Sequence, residues 1–298
     1  MYGPLIWGVN VIDSFIESEE IWKKRSEVVQ GYEQYRYDLE DVHETLDTYK
    51  MDYIMWCKKK SESEDDYSRK MNEWLEDKNN EFDYILCLDQ IRTSFLGPAY
   101  NFNRLIDVII QDVFWDDIKY EIPEEDWVSM GNRTSAIVLD MHNCLISIKT
   151  ALDRLVKLFR LYKKGISDYC TFGHIGKNNK SKGLMSRIIQ DKDKDDISEY
   201  VYQEYNRWIY KCVKPRDTII HYDDIQVVYS FADFCELPSF IYSMNESNNN
   251  SSRSNEIATT YKLSFVDVYS YVQSFYNFAN TIMEMIYKRL TSDNNMTP

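Results

Sequence analysis

The sequence predicts a mainly α protein: a helical bundle with an N-terminal helical extension and a small antiparallel β insertion. Three observations predict it. Apolar residues recur at alternating spacings of three and four over residues 28–56, 133–164 and 264–290. Nine Gly and six Pro among 298 residues leave little material for tight turns. The apolar period changes to two only within residues 225–263, which is where strands are expected. A charged stretch at Glu121–Asp126, with Pro123, divides the chain into an N-terminal helical region, 1–125, and a bundle with its β insertion, 126–298.

A first long helix is expected to start near Asp13 and to carry the stripe Val28, Tyr32, Tyr35, Leu39, Val42, Leu46, Tyr49, Tyr53 and Trp56. The spacing is that of a heptad seam, but four of the nine residues are Tyr, too bulky and polar for a tight dimeric coil. Packing against other helices of the same chain is therefore favoured over a self-paired coil. Gly31 costs about 1 kcal/mol in a helix and marks a candidate kink. Ser61–Asp66 reads as an acidic solvated loop, followed by a short helix with Met71, Trp74 and Leu75. Asn80 is placed to cap the next helix, which carries Phe82, Ile85, Leu86 and Ile91 and is expected to break at Gly97-Pro98. Residues 101–118 read as a separate buried helix.

The strongest helix is expected over 133–164, ended by Gly165, its stripe widened by Ile137, Leu139, Ile146, Val156 and Leu158. A loop, Ile166–Lys182, leads to a short helix, Leu184–Gln190, and a charged turn, Asp191–Asp196. The next helix uses Ile197, Val201, Tyr205 and Trp208 and is expected to kink or restart at Pro215. Ile225–Phe231, Phe240–Tyr242 and Ile257–Leu263 supply two or three strands around an Asn/Ser-rich loop. A final helix, Ser264–Leu290, and a short tail complete the chain.

Composition limits the function. Six cysteines show no spacing typical of zinc ligands, and they fall mostly in apolar helical stretches, which points to reduced, buried thiols. No apolar run reaches membrane-spanning length and the N-terminus lacks a basic leader, so a cytoplasmic protein with no membrane partner is expected. No cofactor and no metal site is expected. Net charge is −14, which disfavours binding nucleic acid over the whole surface. The charge is uneven: residues 147–190 hold ten basic and two acidic residues, a local +8 that leaves −22 elsewhere. That segment either receives an anion or neutralises the acidic N-terminal half. Gly173 and Gly176 beside Lys177 and Lys180 suggest phosphate approach, but no P-loop pattern is present.

The densest chemistry lies at Pro215–Asp224, where Arg216, Asp217, His221, Asp223 and Asp224 collect. On a helix Asp217 and His221 share a face, and a carboxylate beside imidazole fixes its tautomer and favours its protonated form. Arg216 lies roughly 140° around an ideal helix from His221, so the two converge only with help. The structural alternative is that Arg216 and His221 form salt bridges with neighbouring acids. Arg36 and His43 show a similar spacing, within a polar-faced stretch read as mid-helix.

Arg216-Asp217-Thr218-Ile219-Ile220-His221 resembles the signature of the HEPN superfamily, helical bundles that include many metal-independent endoribonucleases. The resemblance covers roughly residues 130–290. It implies a four-helix core with the motif in its third helix, and a homodimer in which two motifs meet. It implies RNA as substrate: His221 would act as general acid or base at the ribose 2′-hydroxyl or the leaving oxygen, and Arg216 would hold the phosphate. Asp217 would orient either residue. Lys157, Arg160, Lys164, Lys211 and Lys214 are the candidate substrate-binding residues, although cations at a helix C-terminus also simply suit its dipole. The family's roles imply a bacterial toxin or antiviral effector, with a possible antitoxin or regulatory protein as partner. Asp223 stands two residues after His221, where toxins of the family regulated by nucleotidylation carry Tyr. Two other classes stay open: a non-catalytic helical dimerisation or protein-interaction module, and a nucleotide-binding sensor.

Overall fold

The computed structural model describes residues 26–27, 29–78, 80–119, 128–163, 165–166, 170–175, 181–214, 239–244 and 259–292. The described residues are mainly helical. In chain order they form α1 (Leu39–Lys60), α2 (Glu64–Leu75), α3 (Asp83–Lys119), α4 (Val128–Phe159), α5 (Leu184–Asp191) and α6 (Asp196–Glu204). A strand pair, β1 (Ser239–Met244) and β2 (Thr259–Ser264), precedes α7 (Phe265–Thr291).

Four long helices make the centre. The Cys87 thiol donates to the Lys157 carbonyl, Gly97 abuts Ser147 and Arg104 reaches Asp140, so α3 and α4 run antiparallel. The α7 helix runs parallel to α1, because Tyr49 donates to the carbonyl of Asn280 and Tyr53 stacks edge-on against Tyr287. It runs antiparallel to α3: Phe102 meets Phe265 and Tyr84 donates to the carbonyl of Met283. One continuous apolar core therefore extends from Tyr32 to Ile286, across the Glu121–Asp126 stretch. That stretch itself lies outside the described residues.

The tyrosine-rich stripe packs within the chain. Tyr32 and Tyr53 are buried, and Tyr35 and Tyr37 pack their rings against Phe265 and Tyr269 of α7. The stripe is not carried on one helix, however. Residues 29–33 are helical, the chain turns at Gln34 and Tyr35, and residues 36–38 are non-helical. The Asp38 carboxylate then accepts from the Glu40 N–H and starts α1 as its N-cap. Asn103 of α3 holds the interruption from both sides, accepting from the Tyr37 N–H at 2.9 Å and donating to the Tyr37 carbonyl at 2.8 Å. Gly31, the expected kink, lies in the helical segment before the break.

The expected break at Gly97-Pro98 does not occur, and α3 continues through it as one helix. Proline cannot donate to the ladder, and its ring pushes away the carbonyl one turn back. The next rung of the ladder, from Ala99 back to Phe95, is bridged by Tyr276 of α7. Its buried hydroxyl accepts from the Ala99 N–H at 3.1 Å and donates to the Phe95 carbonyl at 2.8 Å. Those two backbone groups would normally bond each other, so the hydroxyl is inserted into the helix ladder.

Several smaller expectations also need correction. The acids of Ser61–Asp66 are not all in a loop: Ser63 caps α2, and Glu64, Asp65 and Asp66 form its first turn, where they suit the helix dipole. The α4 helix ends at Phe159, and turns follow before Gly165. Leu139 of α4 and Leu86 of α3 face solvent, while Ile137, Val156 and Leu158 are buried.

β1 and β2 pair antiparallel, with Ser239 opposite Ser264 and Met244 opposite Thr259. Residues 225–231 lie outside the described residues. Ser264 ends β2 and caps α7 in a reciprocal box: its hydroxyl accepts from the Asp267 N–H, and the Asp267 carboxylate accepts from the Ser264 N–H. α7 is buried on two sides. Phe275 and Tyr276 face α3, and Phe278 meets Phe172, Tyr200 and Trp208. No described helix is long and apolar enough to cross a membrane.

Candidate functional site

The sequence places its candidate chemistry directly after the helix that begins with α6. Asp195 starts that helix, accepting from the Ser198 N–H at 3.0 Å and the Ser198 hydroxyl at 2.5 Å. Arg289 of α7 and Lys163, in the turns after α4, pair with the same carboxylate, at 2.5 and 3.3 Å. Burial alone would raise the Asp195 pKa, but these hydrogen bonds and charges outweigh it and hold the group below the usual carboxylate range. The cap thus pins three segments of chain together.

Beyond α6 the helix widens over Tyr205–Ile209, where the Tyr210 N–H reaches back five residues to the Tyr205 carbonyl. The sequence accounts for this. Ile197, Val201, Tyr205, Ile209 and Val213 are all buried and spaced by four throughout. A regular helix drifts about 40° at each such step, and a wider turn takes up the drift. Glu204 is buried beside the turn and accepts from the Trp208 indole N–H at 2.8 Å and from Arg207 at 2.6 Å. Helical backbone continues to Lys214. Arg216, Asp217 and His221 lie outside the described residues, as does Lys164.

The other candidate substrate-binding residues stand in two pairs. Lys157 and Arg160 sit at the end of α4, and Lys211 and Lys214 in the last turn before Pro215. Both helices pack against α7. Lys211 and Arg160 are exposed. Lys214 lies over the Tyr210 ring at 5.7 Å, and the Lys157 ammonium donates to Gln90 of α3 at 2.6 Å.

The basic 147–190 segment is partly spent on internal partners. Lys149 is nearly buried against Asp153 at 2.5 Å, and Lys163 pairs with Asp191 and Asp195. Arg154, Arg160, Lys182 and Arg187 are exposed; Lys164, Lys177 and Lys180 lie outside the described residues. The Asp153 carboxylate also accepts from the Phe172 N–H at 2.7 Å, and Tyr205 accepts from the Ile175 N–H at 2.9 Å, fixing the loop against α4 and the wide turn. Gly173 and Gly183 let the two arms of this loop cross. A Cβ on Gly173 would sit 1.8 Å from the Lys182 carbonyl oxygen. His174 takes part through its backbone, its carbonyl accepting from the Lys182 N–H.

Arg36 and His43 do not form a site together. Arg36 lies in the non-helical break and pairs with Glu33 and Asp107 at 2.7 and 2.8 Å. The His43 imidazole instead meets Arg92 of α3 at 2.7 Å, with Asp47 at 3.3 Å from its other nitrogen. Arginine only donates, so in this contact Nε2 is the acceptor. Arg92 also pairs with Asp47 itself. Its hydrogen bond, ahead of the small opposing effect of burial, lowers the Asp47 pKa. This polar cluster was missed in the sequence. Its halves, His43–Asp47 and Asp89–Arg92, are visible at helical spacing, but their meeting depends on α1 packing against α3.

Among the described residues no group of three or more His, Cys, Asp or Glu is arranged to hold a metal ion. Cys57, Cys87, Cys144 and Cys212 are buried free thiols. Burial pushes Cys87 up to about 11 and Cys57 up to about 12, far from a nucleophile's range. Compared with known proteins, this chain matches no family model, no curated protein and no solved structure.

Proposed function

We propose that the protein is a metal-independent endoribonuclease of the HEPN type, acting as a bacterial toxin or antiviral effector. The observation that carries the reading is the Arg216–His221 motif, directly following a bundle helix that runs to Lys214. The exposed Lys211 in that last turn supports it, since a cation there suits an approaching phosphate.

In the proposed reaction the ribose 2′-oxygen attacks the phosphorus as its proton passes to a base. The 5′-oxygen leaves with a proton, giving 2′,3′-cyclic phosphate and 5′-hydroxyl ends. His221 serves one of the proton transfers, Arg216 neutralises the phosphorane charge, and Asp217 orients the imidazole. A second protomer completes the site. The test is cleavage of a labelled structured RNA in EDTA by wild type, His221→Ala and Arg216→Ala. The reading expects EDTA-resistant cutting with cyclic phosphate ends, abolished by both substitutions. Absence of cutting by the folded protein, or cutting that survives His221→Ala, overturns it.

The second reading is a non-catalytic interaction module. The observation favouring it is the apolar side chains left in solvent: Met51 and Met55 on α1, Leu75 on α2 and Leu139 on α4.

A further inference from the structure

The α1 helix has two seams. The inner one, with Leu46 and Tyr53, is packed into the core. The outer one, about 180° away, runs Asp41, Glu44, Thr48, Met51, Met55 and Lys58 at alternating spacings of three and four, and every one of these residues is exposed. Met51 is 55% and Met55 60% exposed. Asp41 and Glu44 make no ion pair among the described residues, and Lys58 lies 5.3 Å over the Tyr67 ring without a carboxylate partner there.

Acids at the start of a helix and bases at its end suit the helix dipole, which accounts for the two charged ends. It does not account for two exposed methionines at heptad spacing between them. The order along the seam is acidic, apolar, basic. Such an order is self-complementary when two copies lie antiparallel: a two-fold axis brings the acidic end of each onto the basic end of the other and sets the two Met51 side chains side by side at the centre.

We propose that the outer face of α1 is a docking surface for a second copy of this chain, giving an antiparallel, two-fold α1–α1 pair. Asp41 of one copy faces Lys58 of the other, Glu44 faces Met55, and Thr48 faces Met51. The methionines supply the apolar centre and adapt their shape to each other. The charged ends fix direction and register, because a parallel pairing sets Asp41 on Asp41 and Lys58 on Lys58. The proposal does not rest on the nuclease reading, and its readout is mass in solution, not cleavage.

The test is sedimentation equilibrium of the full chain across the micromolar range. Wild type should dimerise, and Met51→Asp should abolish the dimer while leaving the circular dichroism spectrum unchanged. Asp41→Lys and Lys58→Asp, each alone, should weaken dimerisation roughly tenfold by opposing like charges. Mixing these two variants should restore it, because every facing pair in the mixed dimer is then of opposite sign. A monomeric wild type overturns the proposal. So does a dimer indifferent to Met51→Asp, or a mixture no tighter than its parts. If wild type stays monomeric while Met51 and Met55 resist peroxide oxidation, a segment of the same chain covers the face, and the proposal fails.

Discussion

At Gly97-Pro98 the chain carries its strongest local signal to stop a helix, and the helix continues. At residues 34–38 it carries an unbroken heptad, and the helix stops. The two places differ in where their backbone hydrogen bonds go. At Pro98 a hydroxyl from α7 enters the ladder and satisfies the backbone groups of the rung beside the proline. At the break, Asn103 of α3 and the Asp38 cap satisfy them without a helix. In both cases a partner decides the backbone's course, distant in sequence except for the cap. The apolar stripe survives the break because all of it leans on α7: Tyr32, Tyr35 and Tyr37 on Phe265 and Tyr269, and Tyr49 and Tyr53 of α1 on Asn280 and Tyr287 further along.

The largest expected effect therefore belongs to Tyr276→Phe. It keeps the ring and strands the Ala99 N–H and the Phe95 carbonyl, at a cost of about 3 kcal/mol in urea unfolding. Pro98→Ala frees the ladder to close on itself. In that background Tyr276→Phe should cost under about half as much, and equal costs in both backgrounds would mean that the hydroxyl's role does not depend on the proline. At the break, Asp38→Ala removes a cap in solvent and should cost only about 1 kcal/mol.

The pH dependence separates the same two regions. Burial raises the pKa of Tyr276, although the Ala99 N–H pulls the other way. Its share of stability is complete below its unfolded value of about 10 and is lost as pH rises through the folded one. Cys57, raised to about 12, adds loss in the same direction, starting above about 8.5 where the unfolded thiol ionises. Asp47 behaves oppositely: its pKa is lowered, so its contribution holds above about 3.9 and fades as pH falls through the folded value. Alkali should thus weaken the α3–α7 seam and acid the α1–α3 seam. The alkaline limb of the stability curve should be shallower than wild type in Tyr276→Phe, and the acid limb shallower in Asp47→Asn. The smallest expected effect is Asp47→Asn at neutral pH, because that carboxylate is half exposed.

Periodicity made the helices legible. The helix of Leu184 and the final helix after Ser264 stand within a residue or two of their expected limits, since caps and apolar spacing are local facts. The turns were legible only where no distant group intervened. Tyr276 lies 177 residues from the backbone N–H it holds, and nothing near Pro98 announces it. Charge counting fared worse than spacing. Ten basic residues in one stretch left an anion site and internal neutralisation equally open, because a count does not reveal that Lys149 and Lys163 already have carboxylates. Arg216 and His221 lie outside the described residues, and their role stays with the cleavage assay.

The wide turn at Tyr205–Ile209 holds one residue more than a regular helix would use there. Compared with a regular helix of the same residues, the helical stretch from Tyr210 to Lys214 is turned by about 100° and drawn back along the axis by about 1.5 Å. Winding the same residues as a regular helix would swing Lys211 and Lys214 by more than a quarter turn, whereas deleting one residue within the turn would straighten the helix and leave the two facing as they do. The wide turn thus acts as a phase shifter: it sets which way Lys211 and Lys214 face without altering either residue.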